Sequence, residues 1–235
     1  MDAIYWFGVQ GYEGKVADVW VALCRKAHAI LEIGGNVGLF TVLGARDSSA
    51  PYTVAEPVAA ISAVLRSNLA RNGLAHVEVL EVAVIPDSAP AEVALNVPDE
   101  KRDAPVGAHL IEGVEVYNRS SERKIMVSGR PFRDLIAGRD LVKIDAEGIE
   151  AKLLDSARDI ILRERPTLLI EVLPSATSLA ALIRDLARTA GYTIFIVPEW
   201  GSDTIASVAA GDFTSELPAR FRSKDIVLSM APLPV

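Results

Sequence analysis

The sequence predicts an α/β protein built as a three-layer sandwich: a mostly parallel, doubly wound sheet with helices on both faces. Three observations lead there. Short β-branched runs alternate with helical patterns of about a dozen residues. PTLLIEVLP (Pro166 to Pro174) is apolar almost throughout, as a strand buried on both faces must be. And LEIGGNVGLF (Leu31 to Phe40) runs from a strand into a glycine turn and out into a helix.

Val16, Val19, Trp20, Leu23, Ala27 and Ile30 recur at helical spacing, which predicts an amphipathic helix turning Arg25 and Lys26 outward. It delivers the chain to a strand over Ala29–Ile33. A helix around Leu39–Ala45 follows the glycines, and PYTVAEP gives a short strand closed by Pro57, which suits the first turn of a helix. Val58, Ile61, Leu65 and Leu69 then mark that helix, stopped at Asn72-Gly73.

HVEVLEVAVI (His76 to Ile85) reads as the third strand, and EVALNVP (Glu92 to Pro98) as an antiparallel excursion from it. Asp99–Glu122 is irregular, so it and residues 1–15 are read as segments that could cover a substrate. IMVSG, a short helix over Arg130–Ala137, and DLVKIDAEG carry the chain to Gly148. A helix bearing Ile149, Leu153 and Leu154 follows. After the strand at Pro166–Pro174, Leu179, Ile183 and Leu186 mark a helix that stops at Gly191, and YTIFIVPE and DIVLSM supply the final strands.

The 235 residues, half of them hydrophobic, suffice for one well-buried core and predict a single domain spanning 1–235. A formal charge of −7 argues against a chain that lives on phosphate backbones, so no nucleic-acid partner is expected. The single cysteine, Cys24, gives neither a disulfide framework nor a thiolate metal site and suits a reducing compartment, by default the cytoplasm. MDAIYWFGVQGYEGK lacks a basic lead into an apolar run and does not read as a signal peptide. No stretch stays apolar long enough to span a membrane.

In an open α/β sheet, ligands bind beyond the carboxyl ends of the strands. Gly34 to Gly38 sits there, where bare backbone lets a ligand approach closely. Counting from Gly34, Asn36 and Leu39 fall where a dinucleotide fingerprint needs glycines, which disfavours a nicotinamide-dependent oxidoreductase. No Lys-Ser or Lys-Thr pair follows, so a P-loop fails too. What remains is an acid, Glu32, before the turn and a second acid, Glu56, at the spacing that suits ribose hydroxyls. S-adenosylmethionine (SAM) has such a ribose, and its sulfonium and ammonium charges favour carboxylates.

Taken with DLVKIDAEGIEAKLL, these pieces resemble the FkbM family of SAM-dependent methyltransferases. The matching stretches are Glu32 to Gly38, Ala55-Glu56-Pro57 and Ile144 to Glu150, within a likeness spanning roughly Leu31 to Val172. Glu32 stands where the family usually has Asp, Gly35 where it has Ala, and Arg130-Pro131 near its Thr-Leu-Asp stretch. The resemblance implies a Rossmann-like class I methyltransferase sandwich whose seven-stranded sheet ends in an antiparallel strand. It also implies that Glu32, Gly34, Gly35, Asn36 and Gly38 line the methionine end of SAM, that Glu56 beside Pro57 holds the ribose, and that Val82 and Ala83 lie by the adenine. The expected reaction is O-methylation of a small-molecule hydroxyl, such as that of a sugar or another natural product.

A hydroxyl nucleophile must lose its proton, and Asp145, ending the strand beside the first, faces the expected methyl position as cofactor contact and general base. Glu147 is a second candidate base, and His109, in the irregular segment, a third. The plainer reading has Asp145 capping the following helix, Glu147 bonding loop amides and Glu150 as a solvated first-turn acid. Two alternatives stand beside the enzyme: a domain that binds SAM or a nucleoside without turnover, and a metal-assisted methyltransferase in which Asp145, Glu147 and Glu171 hold a hard cation. Trp6, Phe7, Tyr12, Tyr117 and Trp200 are candidate apolar walls.

Overall fold

The computed structural model describes Gly8 and residues 14–98, 109–110, 122–146, 148–199 and 204–234. Helices α1 (Gly14–Cys24), α2 (Leu39–Arg46) and α3 (Ala59–Arg71) alternate with strands β1 (Ile30–Ile33), β2 (Tyr52–Ala55) and β3 (Val77–Leu80). Strands β4 (Ala83–Ile85), β5 (Glu92–Pro98), β6 (His109–Leu110) and β7 (Glu122–Pro131) follow, then α4 (Phe132–Ile136) and β8 (Leu141–Ile144). The remainder is α5 (Glu150–Ser156), α6 (Arg158–Glu164), β9 (Thr167–Glu171), α7 (Thr177–Ala190), β10 (Thr193–Val197), β11 (Ala206–Val208), α8 (Leu217–Arg220) and β12 (Asp225–Ser229).

Eight strands form the main sheet in the order β11-β10-β12-β9-β8-β1-β2-β3. Pairing is parallel from β3 to β9, and β12 is antiparallel to both its neighbours. The chain starts at β1, winds outward to β3, and returns to β8 on β1's other side. The strand order therefore reverses between β1 and β8, and the crevice beyond their carboxyl ends is where such a fold receives a ligand.

Every residue of β1, β2 and β8 is buried, because a parallel sheet is covered on both faces. Leu31, Ile33, Val142, Ile144, Leu168 and Ile170 pack on the side of α4 to α7. Ile30, Tyr52, Val54 and Leu141 face Trp20, Cys24, Phe40 and Leu65 of α1 to α3. That second face also carries Glu32 and Lys143, two charges within an otherwise apolar layer.

The expected seven strands become eight through β11, an edge strand antiparallel to β10 in what reads as loop. The third predicted strand breaks after Leu80, and its second half, β4, joins a smaller sheet of order β4-β7-β5-β6. EVALNVP pairs with β7 rather than with the third strand. Val58, Ile61, Leu95 and Val97, with Val37, Ile125 and Val127, fix this smaller sheet against α3 and the glycine turn. The first helix ends at Cys24, short of Ile30, and Pro57 precedes the N-cap residue Val58 instead of entering the helix. Residues 1–7, 9–13, 99–108 and 111–121, most of the two predicted covering segments, lie outside the described residues, as do Glu147 and Trp200.

Candidate functional site

The glycine turn is closed on itself. Gly34 and Gly35 donate their amides to Ala55 O at 3.0 and 3.2 Å, and Gly38 donates to Gly35 O at 2.8 Å. Asn36 donates to Glu56 Oε2 at 3.0 Å, and Val37 to the Asn36 side-chain Oδ1 at 2.7 Å. All five N–H groups from Gly34 to Gly38 are thus spent inside the protein. A phosphate cradle needs such amides aimed outward, and this turn does not offer them.

Two glycines are required by close approach rather than by habit. A Cβ on Gly34, at φ +79°, would stand 2.0 Å from the Asp145 carbonyl oxygen. A Cβ on Gly35 would meet Val54 Cγ2 at 2.3 Å and Leu65 Cδ1 at 2.8 Å. The turn is therefore seated against the end of β8 on one side and α3 on the other, and Gly35 stands here because alanine has no room.

Glu56 directly follows β2 with both oxygens engaged, Oε2 by Asn36 N and Oε1 by Val58 N at 3.0 Å each. It ties the glycine turn to the start of α3. Burial pushes its carboxyl up to about 7 against the pull of those two amides. Each oxygen keeps a lone pair, so ribose hydroxyls can still be accepted there. Val82, half-buried in the break after β3, and Ala83, at the start of β4, lie on the same carboxyl edge, next to the strand that delivers Glu56.

Glu32 is only 1% exposed. Its Oε2 accepts the Tyr52 hydroxyl at 2.5 Å, and burial raises its carboxyl above the usual range despite the nearby Lys143 charge. The resemblance implies that Glu32 lines the methionine end of a ligand; its side chain lies buried on the face of the sheet covered by α1 to α3.

Lys143 sits across from Glu32 in register, 4% exposed. Its Nζ lies 3.0 Å from Asp145 Oδ2 and 4.9 Å from the centre of the Phe40 ring. Burial alone would discharge it, but Asp145 and Glu32 hold its proton firmly. Lys143 went unremarked in the sequence, although a lone lysine in LVKI is itself a signal: a charge within a strand buried on both faces must have a partner.

Asp145 follows β8, and its side chain is 34% exposed at the crevice. Burial works to raise its carboxyl, yet the Lys143 charge and hydrogen bond, with Lys224 and a hydrogen bond from Glu171, hold it below the ordinary range. Glu171, ending β9, shifts the other way, raised by burial and by the Asp145 charge, while Lys224 pairs with its Oε1 at 2.7 Å. Two ammonium groups thus occupy the carboxylates that the metal-assisted reading needs. Among the described residues no three His, Cys, Asp or Glu side chains gather as a ligand set.

The DAEGIE turn is organised differently from the plainer sequence reading. Glu150, expected to be solvated, is 5% exposed, and its Oε1 accepts the Ala146 and Gly148 amides at 3.0 Å each. The following helix is N-capped by Ile149 with no side-chain bond, so Asp145 does not cap it. The backbone of His109 pairs with Asn96 in the smaller sheet, placing it in a strand rather than in an irregular segment. Glu147 lies outside the described residues.

No protein-family model matches the sequence, and no curated protein matches it. Solved structures similar to the chain include methyltransferases. The methyltransferase FkbM from Methylobacillus flagellatus KT is 17% identical over 86% of this chain, with a TM-score of 0.48. This chain covers 43% of that one. An O-methyltransferase from Bacillus cereus, in complex with S-adenosylhomocysteine, is 14% identical over 92% of this chain and 79% of its own, with a TM-score of 0.48. TomG from Streptomyces achromogenes, an O-methyltransferase involved in tomaymycin synthesis and solved with SAM, is 15% identical over 92% and 78%, with a TM-score of 0.47. Among the described residues no helix is long and apolar enough to cross a membrane.

Proposed function

We propose that the chain is a SAM-dependent methyltransferase acting on a hydroxyl of a small molecule, such as a sugar or another natural product. The observation that carries this reading is the inward use of every amide from Gly34 to Gly38, beside the carboxyl groups of Glu56 and Asp145. A pyrophosphate or triphosphate would meet carboxylates where it needs donors. A ligand with ribose hydroxyls and positive charge meets acceptors.

In this reading Glu56 takes the ribose, with Pro57 shaping the chain beside it, and Asp145 faces the cationic end across Gly34. Asn36 and Gly38 set the turn over which the ligand lies, and Val82 and Ala83 flank its base. Glu32 acts from below, through Lys143. Methyl transfer itself is an in-line displacement at a carbon already activated by the sulfonium, so the protein's part is orientation and removal of a proton. The O-methyl assignment and the natural-product class rest on the resemblance to FkbM enzymes. The buried single thiol of Cys24 suits work in the cytoplasm.

The test is calorimetric titration of SAM and S-adenosylhomocysteine into wild type and Glu56→Ala, without added metal. Wild type binds, and the variant loses about 1–3 kcal/mol, the scale for charge-assisted hydrogen bonds. Binding of NADH in preference to SAM overturns the reading.

A further inference from the structure

Helix α8 closes as a Schellman motif: Ser223 donates its amide to Pro218 O at 3.1 Å, and Arg222 donates to Ala219 O at 3.0 Å. The residue that must then turn left-handed is Arg222, at φ +51°, where glycine is the usual occupant and a side chain strains the backbone. Arg165 adopts the same conformation after α6, but it leads into β9 at the amino edge of the sheet. Arg222 stands at the opposite, carboxyl edge.

Two strand exits hold it there. Ser223 donates its hydroxyl to Val197 O at the end of β10, Glu199 N donates to Arg222 O at 3.2 Å, and Val172 N, just past β9, donates to Lys224 O at 2.6 Å. β10 runs parallel to β9, since both are antiparallel to β12. The Ser215 hydroxyl adds a bond to Pro174 O at 2.8 Å, and Pro218 is buried. The turn is thus a fixed rim beyond β9 and β10, while the glycine turn and Glu56 lie beyond β1 and β2. Its charge also runs against that of the chain: the whole protein carries −7, whereas residues 217–224 (LPARFRSK) hold three cations and no acid. Arg220 and Arg222 are exposed, Phe221 between them is 36% exposed, and among the described residues neither guanidinium pairs with a carboxylate.

We propose that this turn selects the methyl acceptor: Arg220 and Arg222 receive an oxyanion, a carboxylate or a phosphate, and Phe221 covers the apolar body, so the substrate is an acidic small molecule. This deepens the methyltransferase reading and rests on it. With SAM spanning the glycine turn, Glu56 and Asp145, the acceptor is left the β9 end of the carboxyl edge, which this turn borders. A guanidinium fork donates two parallel hydrogen bonds to an oxyanion. Holding that fork on a backbone tied to two strands fixes the acceptor's reach toward the methyl carbon. The basic rim also draws an anion to a protein whose net charge would repel it.

Calorimetric titration of the full chain saturated with S-adenosylhomocysteine reads this with two matched pairs of probes: 3,4-dihydroxybenzoate against catechol, and glucose 6-phosphate against glucose. In wild type at low salt, the acid of at least one pair binds at least about 10-fold more tightly than its neutral partner, the scale of charge-assisted hydrogen bonds. The pair that responds tells carboxylate from phosphate. Arg220→Gln and Arg222→Gly each cut that advantage to about 3-fold or less, while SAM affinity, set at the distant glycine turn, stays within about 3-fold of wild type. Because glycine adopts the left-handed backbone freely, Arg222→Gly should not lower Tm; a lowered Tm would assign Arg222 to the fold instead. Acid and neutral probes that bind equally, or not at all, overturn the proposal, as does an advantage that survives both substitutions. Failure of wild type to bind SAM overturns the methyltransferase reading, and the same probes titrated into ligand-free protein then show separately whether the turn holds an anion.

Discussion

Glu32 and Lys143 stand directly opposite one another on neighbouring parallel strands, and both are almost wholly buried. The ammonium pairs with Asp145 at the crevice, and its charge also acts on buried Glu32. Stability and site electrostatics are therefore set by one side chain. Lys143→Met leaves two carboxyls without their cation, and we expect a loss of about 3–5 kcal/mol at pH 8, the scale for breaking a buried pair. The loss should be smaller at pH 5, because protonation relieves the stranded carboxyls. Urea unfolding at the two pH values checks this, and an equal loss at both would contradict it.

Glu56 makes the ligand-free protein pH-sensitive. An ordinary glutamate gives up its proton near 4.5, whereas folded Glu56 keeps it to about 7. The native state binds the extra proton across that window, so the Glu56 contribution to stability is full below 4.5 and is lost as pH rises through 7. Glu32, Glu150 and Glu171 are raised as well and act in the same direction. Thermal unfolding from pH 5 to 8 should show a falling Tm, and SAM at saturation should flatten that slope if Glu56 carries the ribose.

Gly34→Ala should be the most damaging change in the turn, since a methyl there needs both a left-handed backbone and space held by a main-chain carbonyl. A loss of at least about 2 kcal/mol is expected. Gly35→Ala meets the ends of two side chains, Val54 and Leu65, and should cost about 1–3 kcal/mol. Denaturant midpoints for the two variants test the ranking.

Glu150 separates charge from hydrogen bonding. One oxygen, Oε1, accepts both loop amides, so Glu150→Gln can keep both bonds and should stay within about 0.5 kcal/mol of wild type. Glu150→Ala strands two buried donors, at about 1–3 kcal/mol. Comparable losses in both variants would show that the charge is what matters.

The sheet, the helices and the glycine turn were legible because their signals are local: period, glycine and a continuous apolar run. The smaller sheet was not, because β4 and β5 both find β7, 24 to 46 residues on, and single-strand patterns carry no pairing information. β11 escaped because three half-buried and exposed residues at an edge have no alternation to show. At the site, Glu56 was legible from its distance to the turn, while Glu150 was misjudged because first-turn acids are usually solvated. Lys143 was visible but unread: its meaning depends on Glu32, more than a hundred residues earlier.

β12 lies between β9 and β10 and is bonded to both, so β10 and β11 reach the rest of the sheet through β12 alone. As the chain leaves the ribosome, β10 and β11 emerge before their attachment exists and have only each other to pair with. Assembly of that side waits for Asp225–Ser229, which must enter between two strands already made. Until it does, β9 and β10 each present an open row of amides and carbonyls, the template on which chains mispair. A single five-residue strand thus closes two hazardous edges at once, and the timing of its arrival governs how long the nascent protein is exposed to its neighbours.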